Sequence, residues 1–302
     1  MKEVKWTGVY PAITTKFYDN DTLDFNTFLC NVDRQLNAGI HGLVLGGTLG
    51  EASTLSNVEK DELLKVTVEH INGKIPVIMN VAEQTTKGAV EAAQRATNNG
   101  AKGLMLLPPM RYKADSRETN AFFLEVAKST DLPIMIYNNP VDYGIEVTVG
   151  MFEELLKHDN IKAVKESTRD VSNVSRLRNA FGDRLKILCG VDTVAVEELL
   201  IGADGWVAGL VAAFPRETVA IYELVRAGRL QEAIEIYRWF MPVLELDLHP
   251  KLVQYIKFAE VVTGLGTEYV RPPRLPLEGD ERERIKSILR KAMDNRPEIP
   301  KL

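Results

Sequence analysis

Short apolar runs alternate with amphipathic stretches along most of the chain. The runs at 9–15, 42–46, 76–81, 103–107, 133–137, 161–165, 185–189 and 205–208 have strand length and are bounded by turn-forming residues, which predicts eight strands. Between them the period changes. Phe25, Phe28, Leu29, Val32 and Leu36 recur at three- and four-residue steps, so a helix presents one apolar face there, and Gly39 follows as its C-terminal cap. Ser56-Asn57-Val58-Glu59 has the capping-box pattern of the next helix, with Asp61 and Glu62 near its positive end. Further helices are predicted from about Thr86, Ser116, Val149, Val171 and Thr193.

Strand followed by helix, repeated, implies right-handed crossovers and a parallel sheet. Eight such units match a closed (β/α)8 TIM barrel, an α/β fold, over residues 1–213. No Gly-x-Gly-x-x-Gly run opens the first unit and no P-loop occurs, which removes the usual phosphate grip of a doubly wound nucleotide-binding sheet. After Phe214-Pro215 the alternation stops. Val219, Tyr222 and Val225, then Ile234, Tyr237 and Phe240, then Leu252, Ile256 and Ala259 trace helices, and prolines 272, 273 and 276 precede a last one at about 281–293. Residues 214–302 are therefore read as a helical C-terminal extension.

Charge narrows the function classes. The formal net charge of the 302 residues is -5 with both signs interspersed, so neither a nucleic-acid stripe nor a polybasic membrane anchor is present. Cys30 and Cys189 lie far apart and outside any paired metal-ligand spacing, which fits a reducing compartment. The N-terminal residues lack the apolar run of a signal peptide, and nothing approaches the roughly 20 apolar residues of a membrane span. A cytoplasmic location is expected. His41, His70, His158 and His249 have no mutual spacing suited to a metal, and none is assigned; Asp192 is at best a polar pocket wall. Met105, Met110 and Met135 read as core and pocket lining.

In a barrel of this kind, chemistry gathers where strands end and the following loops begin. Lys165 ends the sixth strand, and Ala163 shares its face, so the lysine can point inward at the mouth. Pressed against a core, its ammonium loses a proton more readily and becomes a candidate nucleophile. Tyr137 ends the fifth strand, ahead of Asn138-Asn139-Pro140. The second strand runs into Gly46-Gly47-Thr48-Leu49-Gly50-Glu51, whose amides can form a concave anion site. Taken singly, each has a plainer explanation: a lysine paired with a carboxylate, a strand-end aromatic, a turn that needs positive dihedrals. Packing does not readily explain their convergence on one mouth.

The GGTLGE run, the YNNP at Tyr137 and the VKES at Lys165 resemble, in order and separation, the signature set of the dihydrodipicolinate synthase and N-acetylneuraminate lyase family. The resemblance implies an aldolase-type lyase that uses no cofactor. Lys165 would attack the ketone carbon of a 2-oxo acid to form a Schiff base, an electron sink for carbanion chemistry beside it. Tyr137 would shuttle protons, with Thr48 orienting its hydroxyl, and the amides of Thr48 and Leu49 would hold the substrate carboxylate. The expected catalytic residues are Lys165, Tyr137 and Thr48, and the expected binding residues are Gly47, Thr48, Leu49, Asp142, Tyr143 and Val207. A homo-oligomer, a tetramer in most relatives, is expected with a small 2-oxo acid as the only other partner.

Three departures from the family pattern bear on the substrate. Synthases place a second threonine where this chain has Leu49, and an arginine for an aldehyde's carboxylate where it has Asp142, followed by Tyr143. An anionic residue there repels that carboxylate. The tyrosine inserted from a neighbouring subunit is replaced in Leu107-Pro108-Pro109-Met110, and Tyr112 takes its place only if the loop shifts. These changes point to cleavage, dehydration or deamination of a hydroxylated 2-oxo acid or a cyclic imine acid such as a hydroxypyrroline carboxylate. The alternatives are 4-hydroxy-tetrahydrodipicolinate synthesis and, from another class, a non-catalytic regulatory barrel that binds 2-oxo acids.

Overall fold

The computed structural model describes residues 4–109 and 112–301, so Met110 lies outside the described residues. Eight strands form: β1 (Gly8–Pro11), β2 (Leu43–Leu45), β3 (Val77–Val81), β4 (Gly103–Leu106), β5 (Ile134–Asn138), β6 (Ile161–Glu166), β7 (Lys186–Cys189) and β8 (Gly205–Ala208). Apart from Lys162 and Lys186, every residue in them is buried, as expected of parallel strands covered on both faces. Hydrogen bonding runs in the order β1-β8-β7-β6-β5-β4-β3-β2, all parallel. The ring closes through a parallel bridge between Ala12 and Val44, where Ile13 N donates to Val44 O at 3.2 Å. The fold is a (β/α)8 barrel. Its first strand is shorter than the apolar run 9–15, because Thr14, Thr15 and Lys16 leave the ladder for buried polar contacts.

The helices between strands are α1 (Phe25–Asn37), α2 (Asn57–Ile71), α3 (Thr86–Asn98), α4 (Ser116–Lys128), α5 (Pro140–Tyr143), α6 (Val149–Leu155), α7 (Ser172–Phe181) and α8 (Ala195–Leu200). The capping box of α2 forms as its sequence predicts: Glu59 N donates to Ser56 Oγ at 3.2 Å, and Ser56 N donates to the Glu59 carboxylate at 2.8 Å. The unpredicted element is α5. Asn139 caps it by accepting from Asp142 N at 3.1 Å, Pro140 supplies its first turn, and Gly144 ends it at φ +73°. This single turn folds residues 141–143 back over the barrel mouth instead of letting them run straight into α6.

Beyond β8 come α9 (Pro215–Arg226), α10 (Leu230–Leu244), α11 (Leu252–Thr263) and α12 (Gly279–Asp294). Helix α9 packs on β1 and β8, in the position of an eighth barrel helix, so the segment 214–302 begins inside the repeating pattern. The 3-10 turn Glu245–Leu248 between α10 and α11 brings the extension to the barrel mouth. Its anchorage is ionic and buried: Lys16 with Glu260 at 2.7 Å, and Lys257 with Glu51, all four side chains sealed from solvent. Asn31 and Thr14 also donate to Glu260, at 3.1 and 2.8 Å.

Candidate active site

Parallel register sets the centre of the site. Tyr137 on β5 is paired with Lys165 on β6, and Asn138 with Glu166, so alternation turns the first pair inward and the second outward. The outward pair is a brace. The Glu166 carboxylate accepts from Asn138 and Asn173 side chains at 3.3 and 2.8 Å and from Thr168 N at 2.8 Å. The inward pair faces a cavity of about 480 Å3 at the C-terminal ends of the strands. A larger groove of about 1100 Å3 opens at the opposite end, by Asp159, Lys162 and Arg184, and it gathers none of the predicted residues.

Lys165 is 7% exposed, and its Nζ lies 4.1 Å from the centroid of the Tyr137 ring. Burial holds its amine well below the ordinary lysine range. Among the described residues it forms no salt bridge. Its path requires a glycine: a Cβ on Gly190 would fall 2.7 Å from Lys165 Cε and 2.1 Å from Ser167 Oγ. Burial also pushes the Tyr137 phenol up to about 12, so it keeps its proton at neutral pH. Asn139 donates to the Tyr137 hydroxyl at 3.3 Å and to Asp142 at 2.7 Å.

The glycine turn lines the same cavity through Gly47, Thr48 and Leu49. It is tight: a Cβ on Gly50 would meet Gly46 N at 3.0 Å, and Gly46 itself sits at φ +65°. Asn80 donates to Gly46 O at 2.8 Å, and Glu51, left-handed at φ 52°, is pinned by Lys257 and by Arg271 N at 3.1 Å. Among the described residues, the amides of Thr48 and Leu49 donate to no protein acceptor, which leaves both for an anion. The Thr48 hydroxyl pairs with the Tyr143 hydroxyl at 3.1 Å; the expected partner was Tyr137. Helix α5 is the reason, since it swings Tyr143 between them, edge-on to Tyr137 with ring centroids 5.4 Å apart.

Asp142, Tyr143 and Val207 also line the cavity, so all of the expected site residues meet there. Asp142 stands at the rim, its side chain 52% exposed and 3.7 Å from Arg169. Tyr112 is on the surface, 56% exposed, and does not reach the cavity of its own chain. Asp192 is no pocket wall. It lies behind the cavity, where Trp206 Nε1, Gly209 N and Leu210 N donate to its carboxylate at 2.9, 3.2 and 2.8 Å. The residues that sequence reasoning missed are Asn80, Arg169 and Asp247. Asn80 is visible as a polar residue inside an apolar strand, whereas Asp247 belongs to a segment far along the chain with no motif of its own.

This geometry has close relatives. The model of the Dihydrodipicolinate synthetase family matches residues 5–292. A 4-hydroxy-tetrahydrodipicolinate synthase of Exiguobacterium sibiricum is 36% identical over 273 residues, 89% of this chain and 91% of that protein. One from Staphylococcus carnosus is 31% identical over 94% of this chain and 96% of its own length. The solved structure of the 4-hydroxy-tetrahydrodipicolinate synthase from Methylacidiphilum fumariolicum SolV superposes with a TM-score of 0.91 at 28% identity, covering 95% of this chain and 96% of that one. YagE from E. coli K12, solved in complex with pyruvate, gives 0.90 at 25% identity, covering 96% and 99%. The chain belongs to the dihydrodipicolinate synthetase family and is a lyase that works through a lysine Schiff base.

Proposed function

We propose that Lys165 is the Schiff-base lysine and that its substrate is a hydroxylated 2-oxo acid. The observation that carries this reading is the desolvated Lys165 amine beside the Tyr137 ring, in a cavity that also holds two free amides. The amides of Thr48 and Leu49 hold the carboxylate, which sets the adjacent ketone carbon at the amine. Attack gives a carbinolamine. Tyr137 donates its proton to the carbinolamine hydroxyl, water departs, and the resulting phenolate can take a proton from C3. Thr48 acts through Tyr143, whose phenol closes the cavity over the ring of Tyr137. Asp142 and Tyr143 meet substrate hydroxyls, and Val207 forms part of the apolar wall.

Borohydride reduction with pyruvate, read by intact mass and peptide mapping, tests the nucleophile. The expected result is one reduced pyruvate adduct on Lys165 and none in Lys165→Ala; an adduct elsewhere, or full turnover by the variant, removes the reading. A second reading, condensation of pyruvate with aspartate semialdehyde, has support from the names of the relatives and from Arg169, a guanidinium in the cavity lining that can meet the aldehyde's carboxylate. Rapid condensation, with hydroxylated 2-oxo acids left untouched, decides for it. By family analogy the enzyme works in the cytoplasm as a homotetramer, and light scattering reads the mass directly.

A further inference from the structure

One carboxyl group in the cavity has no part in the chemistry so far. Asp247 sits on the 3-10 turn that carries the extension to the mouth, and it lines the cavity with Lys165, Tyr137 and Asp142. Among the described residues its carboxyl oxygens accept no hydrogen bond, unlike those of Asp192. Both groups meet at Gly209. The amide of Gly209 donates to Asp192, while a Cβ on Gly209 would fall 2.6 Å from Asp247 Oδ1 and 3.2 Å from Leu49 Cδ1. On that side of Gly209, Leu49 presents a methyl group, which offers the Asp247 carboxyl no hydrogen bond.

Of two neighbouring carboxyls, the one with donors keeps the charge and the other keeps a proton. Burial raises both carboxyls, but Leu210 N, Gly209 N and Trp206 Nε1 donate to Asp192 and hold it down, so the proton belongs on Asp247. Burial and the neighbouring Asp192 push the Asp247 carboxyl up to about 8, and Asp142 at the rim adds to this. Lys165 and Arg169 pull the other way, but a neutral Lys165, the form needed for attack, gives up its share. Tyr137 and Tyr143 are neutral, and His249, also in the lining, faces Tyr255 with ring centroids 4.7 Å apart.

We propose that Asp247 is a second catalytic acid, donating its proton to a hydroxyl that leaves C4 of a 3-deoxy-2-oxo acid held on Lys165. This rests on the Schiff-base reading above and commits it to elimination; aldol cleavage needs a base at the same hydroxyl. The Tyr137 phenolate left by carbinolamine dehydration takes the C3 proton, and the C–H pair becomes the enamine double bond. The enamine expels the C4–O pair, the Asp247 proton joins the departing oxygen, and water leaves. A conjugated iminium and an Asp247 carboxylate remain. Hydrolysis of the iminium by one water returns the ketone and the Lys165 amine, and the proton released restores Asp247.

The test compares a 4-hydroxy-2-oxo acid with its 4-fluoro counterpart, whose fluoride leaves without a full proton transfer. Wild-type turnover of the hydroxyl substrate should fall as pH rises through about 8, with no such limb for the fluoro substrate. Asp247→Asn should lose roughly 10²–10⁴-fold on the hydroxyl substrate, keep most of its turnover on the fluoro substrate, and still trap pyruvate on Lys165. Matching pH limbs for both substrates in wild type overturn the proposal, without any variant having to fold. So does equal loss on both substrates by a variant that still traps pyruvate, or condensation without elimination. Failure of wild type to trap pyruvate at all would instead strike the Schiff-base reading itself.

Discussion

Two groups of buried charge lie within one barrel, and they are built on opposite rules. Beneath the glycine turn, Lys16, Glu260, Lys257 and Glu51 pair plus with minus, with Thr14 and Asn31 supplying further hydrogen bonds. Burial pushes Lys16 down, Glu260 up and Lys257 down to about 8, and in each case the charge paired with the group pulls the other way. At the mouth, the buried Lys165 and the half-buried Asp247 form no ion pair among the described residues, and each is driven toward its neutral form. The first arrangement holds the extension against the turn. In the proposed mechanism the second leaves an amine free to attack and a carboxyl free to donate, at a desolvation cost that no paired charge offsets.

Replacing a lysine in each group should separate the two rules most widely. Lys165→Met is expected to lower turnover by more than about 10⁴-fold while raising the thermal midpoint, since a thioether suits the apolar wall better than an unpaired amine. Lys257→Met should do the reverse in stability. It leaves the buried Glu51 carboxylate with only Arg274 at 3.7 Å and the Arg271 amide at 3.1 Å, a loss of up to about 3 kcal/mol. Because Glu51 also pins the turn, KM for the 2-oxo acid should rise as well. Denaturation curves and steady-state kinetics on the two proteins check this, and a fall in midpoint for both would erase the distinction.

Tyr137→Phe comes next in size. Removing the hydroxyl leaves the ring against Lys165, so the loss should be about 10²–10⁴-fold in turnover with little change in stability. Pyruvate trapping in this variant should be slowed rather than abolished, because the amine remains desolvated. Stopped-flow measurement of imine formation distinguishes the two.

The barrel was readable because its signal repeats: eight apolar runs separated by helical periods leave few alternatives, and the register that joins Tyr137 to Lys165 follows from where the runs end. Gly47, Thr48 and Leu49 were readable from a compact turn. Harder to see was anything set by contacts across distant segments. Lys16, Glu51, Lys257 and Glu260 look in sequence like surface charges, and only the return of α11 to the barrel encloses them. Helix α5 had a local signal in Asn139-Pro140, yet four residues carry no periodicity, so the shift of the Thr48 hydroxyl to Tyr143 was hidden with it. Asp247 is the extreme case, since its neighbours come from the loops after β2, β7 and β8.

The smallest expected effect tests the paired rule at its edge. Arg271 joins the extension to α2 through Glu59, at the rim of the buried network. The Arg271 side chain, helped by Ser56, holds the Glu59 carboxyl at about 2, below the ordinary 4.5. A depressed carboxylate favours the folded state above its unfolded range, and that contribution fades as pH falls from about 4.5 toward 2. Glu59 is a quarter exposed and solvent screens part of it, so the wild type should exceed Glu59→Gln by only a degree or two at pH 6. That gap should narrow steadily by pH 3. The Asp247 carboxyl, raised where Glu59 is lowered, has the opposite dependence: protonated in the fold, it opposes folding as pH rises through the range between 3.8 and about 8. Asp247→Asn should therefore gain on the wild type across that range while Glu59→Gln does not, and parallel melting profiles for the two variants would mean that pairing, and not burial, is the wrong basis for telling the regions apart.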